Sequence, residues 1–215
     1  MPCAMPPVLR FVLLALAALM LPALLLGAVA PTAPEPPAAA PGHGSLTGQL
    51  LIAAPDMRDP RFDHAVILVV KHDREGALGL VINKPAGEHP LAELLAAIGE
   101  KDTSDAKVPV FVGGPVESNV VLVLHSGEYH AAGTLEIDGH LAVTGSPQIL
   151  RDMAAKSGPQ KSLIAFGYAG WAAGQLDAEM EHNVWFTAAE DPALVFDADR
   201  DKVWDLALAR RTRDL

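Results

Sequence analysis

The chain has 215 residues, a formal net charge of -10 and a single cysteine, Cys3. A chain of this length predicts one domain with an added segment, and a hydrophobic fraction of 50% excludes an intrinsically disordered protein. The negative charge excludes the class of proteins that hold nucleic acid mainly by neutralising its phosphates. One cysteine excludes a disulfide framework and a cysteine-rich zinc site.

The first 44 residues differ in composition from the rest of the chain. Residues 11–30 form an uncharged run of 20 residues behind Arg10, which is long enough to cross a bilayer as a helix. Pro22 divides this run, so a shorter signal peptide is the alternative, although Pro31 disfavours cleavage after Ala30. We therefore expect a signal peptide or membrane anchor in residues 1–30 and a periplasmic or inner-membrane-anchored protein. If the start codon is misassigned, the protein is cytoplasmic.

Residues 31–44 are rich in proline and alanine, a composition typical of a semi-rigid linker. The globular domain is predicted over residues 45–215, which carry all but one of the 16 basic residues and all but one of the 26 acidic residues. The net charge of the chain therefore belongs to this domain.

Apolar and β-branched runs predict a series of short strands, each bounded by glycine, proline or aspartate. The clearest pair is a hairpin that joins residues 64–72 to residues 77–83 through the turn at residues 73–76. The predicted strands cover residues 48–54, 64–72, 77–83, 108–112, 120–125, 133–137, 140–143, 162–166 and 183–187.

Helices are predicted between these strands from apolar residues at helical spacing. They cover residues 91–98, 147–156 and 172–181, and a last helix follows Asp199. Ser146 is the expected N-cap of the second helix, with Pro147 in its first position. Hairpins with interspersed helices predict an α+β domain with a mixed, mostly antiparallel sheet.

Four sequence blocks give the domain a family resemblance. They are GQLLIAAPDMRDPRF at residues 48–62, GALGLVINKP at 76–85, GGPV at 113–116 and GYAGWAAGQLDAE at 167–179. In this order they resemble the YqgE/AlgH family over residues 46–208. The resemblance implies a compact domain with a barrel-like sheet flanked by helices, but no established reaction. Some members are described as transcriptional regulators linked to alginate production. Members usually start near the equivalent of residue 45, so the apolar N-terminal segment departs from the family pattern.

A group of polar and aromatic residues is the main candidate for a ligand or partner surface. Gln175 and Glu179 are one helical turn apart on the predicted helix and therefore share a face. Tyr168, Trp171 and Asn183 flank them in the sequence and bring polar edges to the same region. The alternative is that Tyr168 and Trp171 pack in the core while Gln175 and Glu179 bond to the backbone.

Four further residues belong to the predicted surface. Gly113 and Gly114 either present N–H groups to an anion or form a tight turn between two strands. His125 ends an apolar strand, where it either faces a cleft or is a hydrogen-bonded structural histidine. Asn83 ends the hairpin. Convergence of Asn83, His125 and Glu179 on one pocket would favour an enzyme over a binding domain.

The remaining patterns restrict the function. The domain has no GxSxG nucleophile motif and no histidine spacing typical of a metal site, and we predict neither a cofactor nor a metal. Arg210, Arg211 and Arg213 cluster at the end of the last predicted helix, where they complement its dipole rather than form a DNA-binding face.

We therefore predict a non-enzymatic binding or regulatory domain for an unidentified protein or small-molecule ligand. The sequence predicts no direct binding of nucleic acid, and contact with a membrane through residues 11–30 if that segment is not cleaved. One alternative is an enzyme acting on a small molecule. Another is a cytoplasmic transcriptional regulator, which requires that residues 1–44 be absent from the product.

Overall fold

The computed structural model of the chain describes residues 44–101 and 106–212. The predicted signal peptide or anchor at residues 1–30, and all of the predicted linker except Gly44, lie outside these residues. Within the described part of the chain, no helix combines the length and the apolar character needed to cross a membrane.

Ten strands and five short helices make up the described domain. The strands are β1 (Gln49–Ala53), β2 (Val66–Asp73), β3 (Gly76–Val81), β4 (Pro85–Pro90), β5 (Lys107–Val112), β6 (Val116–Ser126), β7 (Thr134–Glu136), β8 (Leu141–Thr144), β9 (Ser162–Ala172) and β10 (Trp185–Ala189). The helices are α1 (Leu91–Ala97), α2 (Gln148–Ala154), α3 (Gln175–Glu181), α4 (Pro192–Phe196) and α5 (Val203–Ala209), the last preceded by a 3-10 turn at Arg200–Lys202.

The strands form one curled sheet in the order β10-β1-β2-β3-β9-β6-β8-β7, with β5 beside β9 and β4 beside β5. The pair of β5 and β9 is parallel, and the other described pairs are antiparallel. The predicted α+β domain with a mixed, mostly antiparallel, barrel-like sheet flanked by helices is therefore confirmed. The predicted hairpin is also present, as β2 and β3.

Strand β9 connects the two halves of the sheet. Its first half pairs with β5 and β6, and its last four residues pair with β3. The strand changes direction at Gly167, whose φ of 71° lies in the left-handed region that favours glycine. This bend lets a single strand belong to both halves.

The GGPV turn between β5 and β6 packs directly on this bend. A Cβ atom on Gly114 would lie 2.1 Å from the carbonyl carbon of Tyr168, and one on Gly113 would lie 2.3 Å from the carbonyl oxygen of Gly167. The N–H of Gly113 donates to the carbonyl of Phe166 at 2.8 Å. The two glycines therefore allow two backbone segments to pack closely, which agrees with the alternative that they form a tight turn between two strands.

Three apolar clusters fill the domain because alternate residues of a strand point to opposite faces of the sheet. The first lies inside the curl, where residues such as Leu50 and Leu68 meet α4 and α5. The second covers the outer face of β1 to β3 beneath α3, and includes Trp171 and Trp185. The third joins α1 and α2 to β5, β6 and β9.

The structure corrects several predicted boundaries. The helix predicted at residues 172–181 begins only at Gln175, because β9 continues through Ala172 in register with β3. The second helix is assigned from Gln148, but Pro147 already has helical dihedrals and the Oγ of Ser146 accepts from the N–H of Gln148 at 3.3 Å, so Ser146 caps this helix as predicted. The last predicted strand is Trp185–Ala189 rather than 183–187. Strand β4 and helix α4 are additional elements.

Candidate functional site

A groove lies between helix α3 and the loop that follows β1, and we call it the tryptophan groove. Its volume is about 650 Å³, within the usual range for small-ligand sites. Four of the predicted site residues line it, namely Trp171, Gln175, Glu179 and Asn183. Its other walls come from Phe62 and charged residues of the loop and from Trp185 at the start of β10.

The carboxylate of Glu179 is the centre of this groove. Its Oε2 accepts hydrogen bonds from the indole Nε1 of Trp171 at 2.9 Å and of Trp185 at 2.8 Å. Its Oε1 accepts from the side-chain amide of Gln175 at 2.9 Å. One half-buried carboxylate thus joins the end of β9, the start of β10 and helix α3.

The two tryptophans are part of the core as well as of the groove. Trp171 is 8% exposed and Trp185 is 3% exposed. Their rings meet edge to face with centroids 6.1 Å apart, and Phe62 packs on Trp185 in the same manner at 5.5 Å. Gln175 also accepts a bond from the backbone N–H of Ala172. Core packing therefore accounts for Trp171, as the alternative expects, while Gln175 and Glu179 still face the groove.

Of the other two members of the polar-aromatic group, Asn183 lines the groove and Tyr168 does not. The hydroxyl of Tyr168 donates to Glu117 at 3.3 Å, and partial burial and this carboxylate raise the pKa of Tyr168 above its ordinary value. Asn183 is exposed and adopts a φ of 55°, a conformation that asparagine tolerates better than most residues. Its backbone N–H closes the end of α3 on the carbonyl of Met180.

Asn83 has a structural role in a second cleft, which has a volume of about 930 Å³. Its Oδ1 accepts from the N–H of Val66 and its Nδ2 donates to the carbonyl of His64, both at 2.8 Å. The side chain therefore holds the loop before β2 against the end of β3. Gly114 also lines this cleft.

His125 lines neither of these two clefts. Its side chain is buried, its Nδ1 lies 3.0 Å from the carbonyl oxygen of Ser126, and its ring meets that of Tyr129 edge to face at 5.2 Å. Its Nε2 is buried without a hydrogen-bond partner in the described structure. Burial lowers the pKa of His125, because removal from water disfavours the charged ring.

Asn83, His125 and Glu179 therefore lie in three separate places. Each of them already has contacts that stabilise the fold, and they do not surround a common pocket. The convergence that would favour an enzyme is not found among these residues.

Sequence reasoning did not identify Trp185 or Phe62 as parts of the site. A signal for Trp185 was present, because a buried indole N–H usually needs an acceptor and Glu179 is only six residues away. Phe62 comes from a distant loop that reaches the groove through tertiary packing, so its position needed the structure.

A family model described as AlgH-like matches residues 50–215. A UPF0301 protein of Jannaschia sp. is 48% identical over 166 residues, covering 76% of this chain and 86% of the relative. The solution structure of AlgH from Pseudomonas aeruginosa is 40% identical with a TM-score of 0.68, covering 80% of this chain and 91% of AlgH. A crystal structure from Corynebacterium diphtheriae, 23% identical with a TM-score of 0.58, covers 74% of this chain and 84% of its own and shares the fold.

Replacing Glu179 tests its role between the two tryptophans. Glu179→Ala leaves two largely buried indole N–H groups without an acceptor, so we expect the free energy of unfolding to fall by about 2–4 kcal/mol. Urea unfolding followed by circular dichroism measures this change. Glu179→Gln keeps one oxygen acceptor and should cost less. The control is Glu181→Ala on the same helix, an exposed position where a change within about 0.5 kcal/mol is expected. Equal effects of Glu179→Ala and Glu181→Ala would contradict the assignment.

His125 predicts a pH dependence of stability. Because burial lowers the pKa of His125 below its ordinary value of 6.5, the unfolded chain binds a proton more readily than the folded one. The contribution of neutral His125 to the free energy of unfolding is therefore present above pH 6.5 and is lost as the pH falls below that value. His125→Gln should flatten the profile of unfolding free energy between pH 7 and pH 5, whereas His140→Gln at an exposed position should not. An unchanged slope in His125→Gln would show that other groups cause the decline.

Proposed function

Since the chain belongs to the AlgH-like family, we propose that it is a non-enzymatic binding domain that takes a small ligand in the tryptophan groove. The observation that carries this proposal is the carboxylate of Glu179, which is fixed by three donors at the floor of an open groove. A groove that is formed before the ligand arrives avoids the entropic cost of ordering side chains on binding.

The groove offers complementary polar groups to such a ligand. Glu179 Oε1 accepts one bond in the described structure and has a second lone pair for a donor on the ligand. Arg58, an exposed residue of the opposite wall, forms no ion pair with the described residues and offers a cation to an acceptor. A ligand with a donor at one end and an anionic group at the other matches both walls.

Several observations support binding over catalysis. None of the residues that line the groove is serine, threonine, cysteine or lysine. Glu179 already accepts hydrogen bonds from three donors, so its carboxylate is held in place by the fold. The net charge of -10 supports a partner other than nucleic acid.

We also propose that the domain works outside the cytoplasm. The support is the uncharged run at residues 11–30 behind Arg10, followed by the proline-rich linker at residues 31–44. If the run is retained, the linker holds the binding domain away from the membrane surface.

A fragment screen by proton–nitrogen NMR tests the binding proposal. Fragments that enter the groove should shift the indole N–H resonances of Trp171 and Trp185, because both groups lie at its floor. Asp56→Phe fills the groove from an exposed position outside the Glu179 network and should abolish these shifts. Glu75→Phe adds the same ring to the exposed turn between β2 and β3 and should leave them intact. Shifts that persist in Asp56→Phe, or no fragment that perturbs the two indoles, would contradict the proposal.

A reporter fusion tests the location. Residues 1–44 fused to a reporter enzyme that is active only in the periplasm should give activity there, because the run at residues 11–30 directs export. A matched fusion in which Leu14 and Leu24 are replaced by Arg interrupts the apolar run and should be retained. Cytoplasmic reporter from the unaltered fusion would refute the proposed export.

A further inference from the structure

The larger of the two clefts carries chemistry that the proposed function does not use. We call it the His64 cleft. It is bounded by the loop before β2, the end of β3, the GGPV turn and the start of α5, and shares only Arg61 and Pro115 with the tryptophan groove. Four residues of its wall are important for binding, namely His64, Lys84, Arg200 and Trp204.

Arg200 is a half-buried cation without a carboxylate partner among the described residues. Its Nη1 donates to the carbonyl oxygens of Ile82 at 3.3 Å and of Val195 at 2.7 Å. The guanidinium lies 5.7 Å from the ring centroid of Phe111. The nearby carboxylates Asp197 and Asp199 are paired with lysines. The Nε and Nη2 hydrogens of Arg200 are thus available to bind a ligand. The two carbonyl bonds compensate only part of the free-energy cost of removing the guanidinium from water.

Lys84 supplies a second cation to the same cleft. Its Nζ donates to the carbonyl oxygen of Asp63 at 2.6 Å and forms no ion pair with the described carboxylates. Both cations are therefore positioned by main-chain oxygens, which hold their place without neutralising their charge. In a domain with a strongly negative net charge, such a pair favours an anion at this place.

His64 shows that the cleft is held in a strained conformation. Its φ is 50°, unusual for a residue with a side chain, and strain of this kind is concentrated at functional sites. Its carbonyl is held by Asn83, and its Nδ1 lies 2.7 Å from the carboxylate of Asp63. The imidazole packs edge to face on Trp204 at 4.3 Å, and that indole is fixed by a bond to the carbonyl of Ala53.

The rest of the lining defines the size and charge of the ligand. Its apolar walls are Pro60, Val81, Pro85, Val112 and Pro115. Asp201 and Asp205, both exposed, also line the cleft and oppose a second negative charge on the ligand. The third cation, Arg61, is already paired with Asp59.

We propose that the His64 cleft is a binding site for a small carboxylate with a flat apolar body. The free edge of the Arg200 guanidinium matches the two oxygens of a carboxylate, and Lys84 adds a second charge-assisted bond. The body of the ligand lies against Trp204 and the proline walls. This site does not depend on ligand binding in the tryptophan groove.

Titration of the protein with 2-naphthoate by calorimetry tests this site. We expect one binding site per chain and a change in the indole N–H resonance of Trp204 rather than of Trp171 or Trp185. Lys84→Gln should weaken binding about tenfold, the typical value for loss of one charge-assisted bond. Arg200→Lys keeps the charge but loses the planar edge, and should also weaken binding about tenfold. Lys107→Gln, an exposed lysine outside the cleft, should leave the affinity unchanged.

Two other compounds separate the parts of the proposal. The neutral analogue 2-naphthalenemethanol should bind at least tenfold more weakly than 2-naphthoate. Inorganic phosphate should not compete with 2-naphthoate for the cleft. Equal affinity of the neutral analogue, competition by phosphate, or affinity for 2-naphthoate unchanged in both Lys84→Gln and Arg200→Lys would overturn the assignment. Shifts confined to Trp171 and Trp185 would do the same, since the ligand would then lie in the tryptophan groove.

Discussion

The direct contact between the GGPV turn and the bend of β9 is the constraint on which the rest of the domain depends. A Cβ on Gly167 would lie 2.6 Å from the carbonyl oxygen of Gly114, so the close approach requires glycine on both sides. This contact lets β9 leave the half of the sheet that contains β5 and β6 and join β3 in the other half. Two glycine-rich segments that look like loops for a ligand are therefore explained by the approach of one backbone to another.

Both clefts follow from this crossing. The end of β9 carries Trp171 into the tryptophan groove, where α3 returns over the sheet and brings Glu179 to the indoles. The GGPV turn places Pro115 in the walls of both clefts and Gly114 in the wall of the His64 cleft. The loop that follows β1 separates the two clefts and contributes Arg61 to each. Polar chemistry is thus concentrated where the two halves of the sheet meet, while the three apolar clusters stabilise the surrounding scaffold.

The features of the fold that could be predicted are those set by residues close together in the sequence. The hairpin of β2 and β3 was identifiable because two β-branched runs flank a short turn, and Gln175 and Glu179 share a face because of helical spacing. Strand β4 has prolines at both ends and exposed side chains, so only its pairing with β5 makes it a strand. The bond from Arg200 to Ile82 joins residues 118 positions apart, and no local pattern contains such a contact. The positive φ of His64 is equally invisible in the sequence, because most histidines, like other residues with a side chain, adopt negative φ.

The shared carboxylate of Glu179 has an optical consequence. The chain contains three tryptophans, and two of them donate to this one side chain on α3. The third, Trp204, is bonded separately to the carbonyl of Ala53 on β1. Any motion that lifts α3 from the sheet changes the polarity around two of the three indoles at once, whereas Trp204 reports on the attachment of α5. The protein therefore carries its own fluorescent probes for two different pieces of the fold, without the introduction of a label.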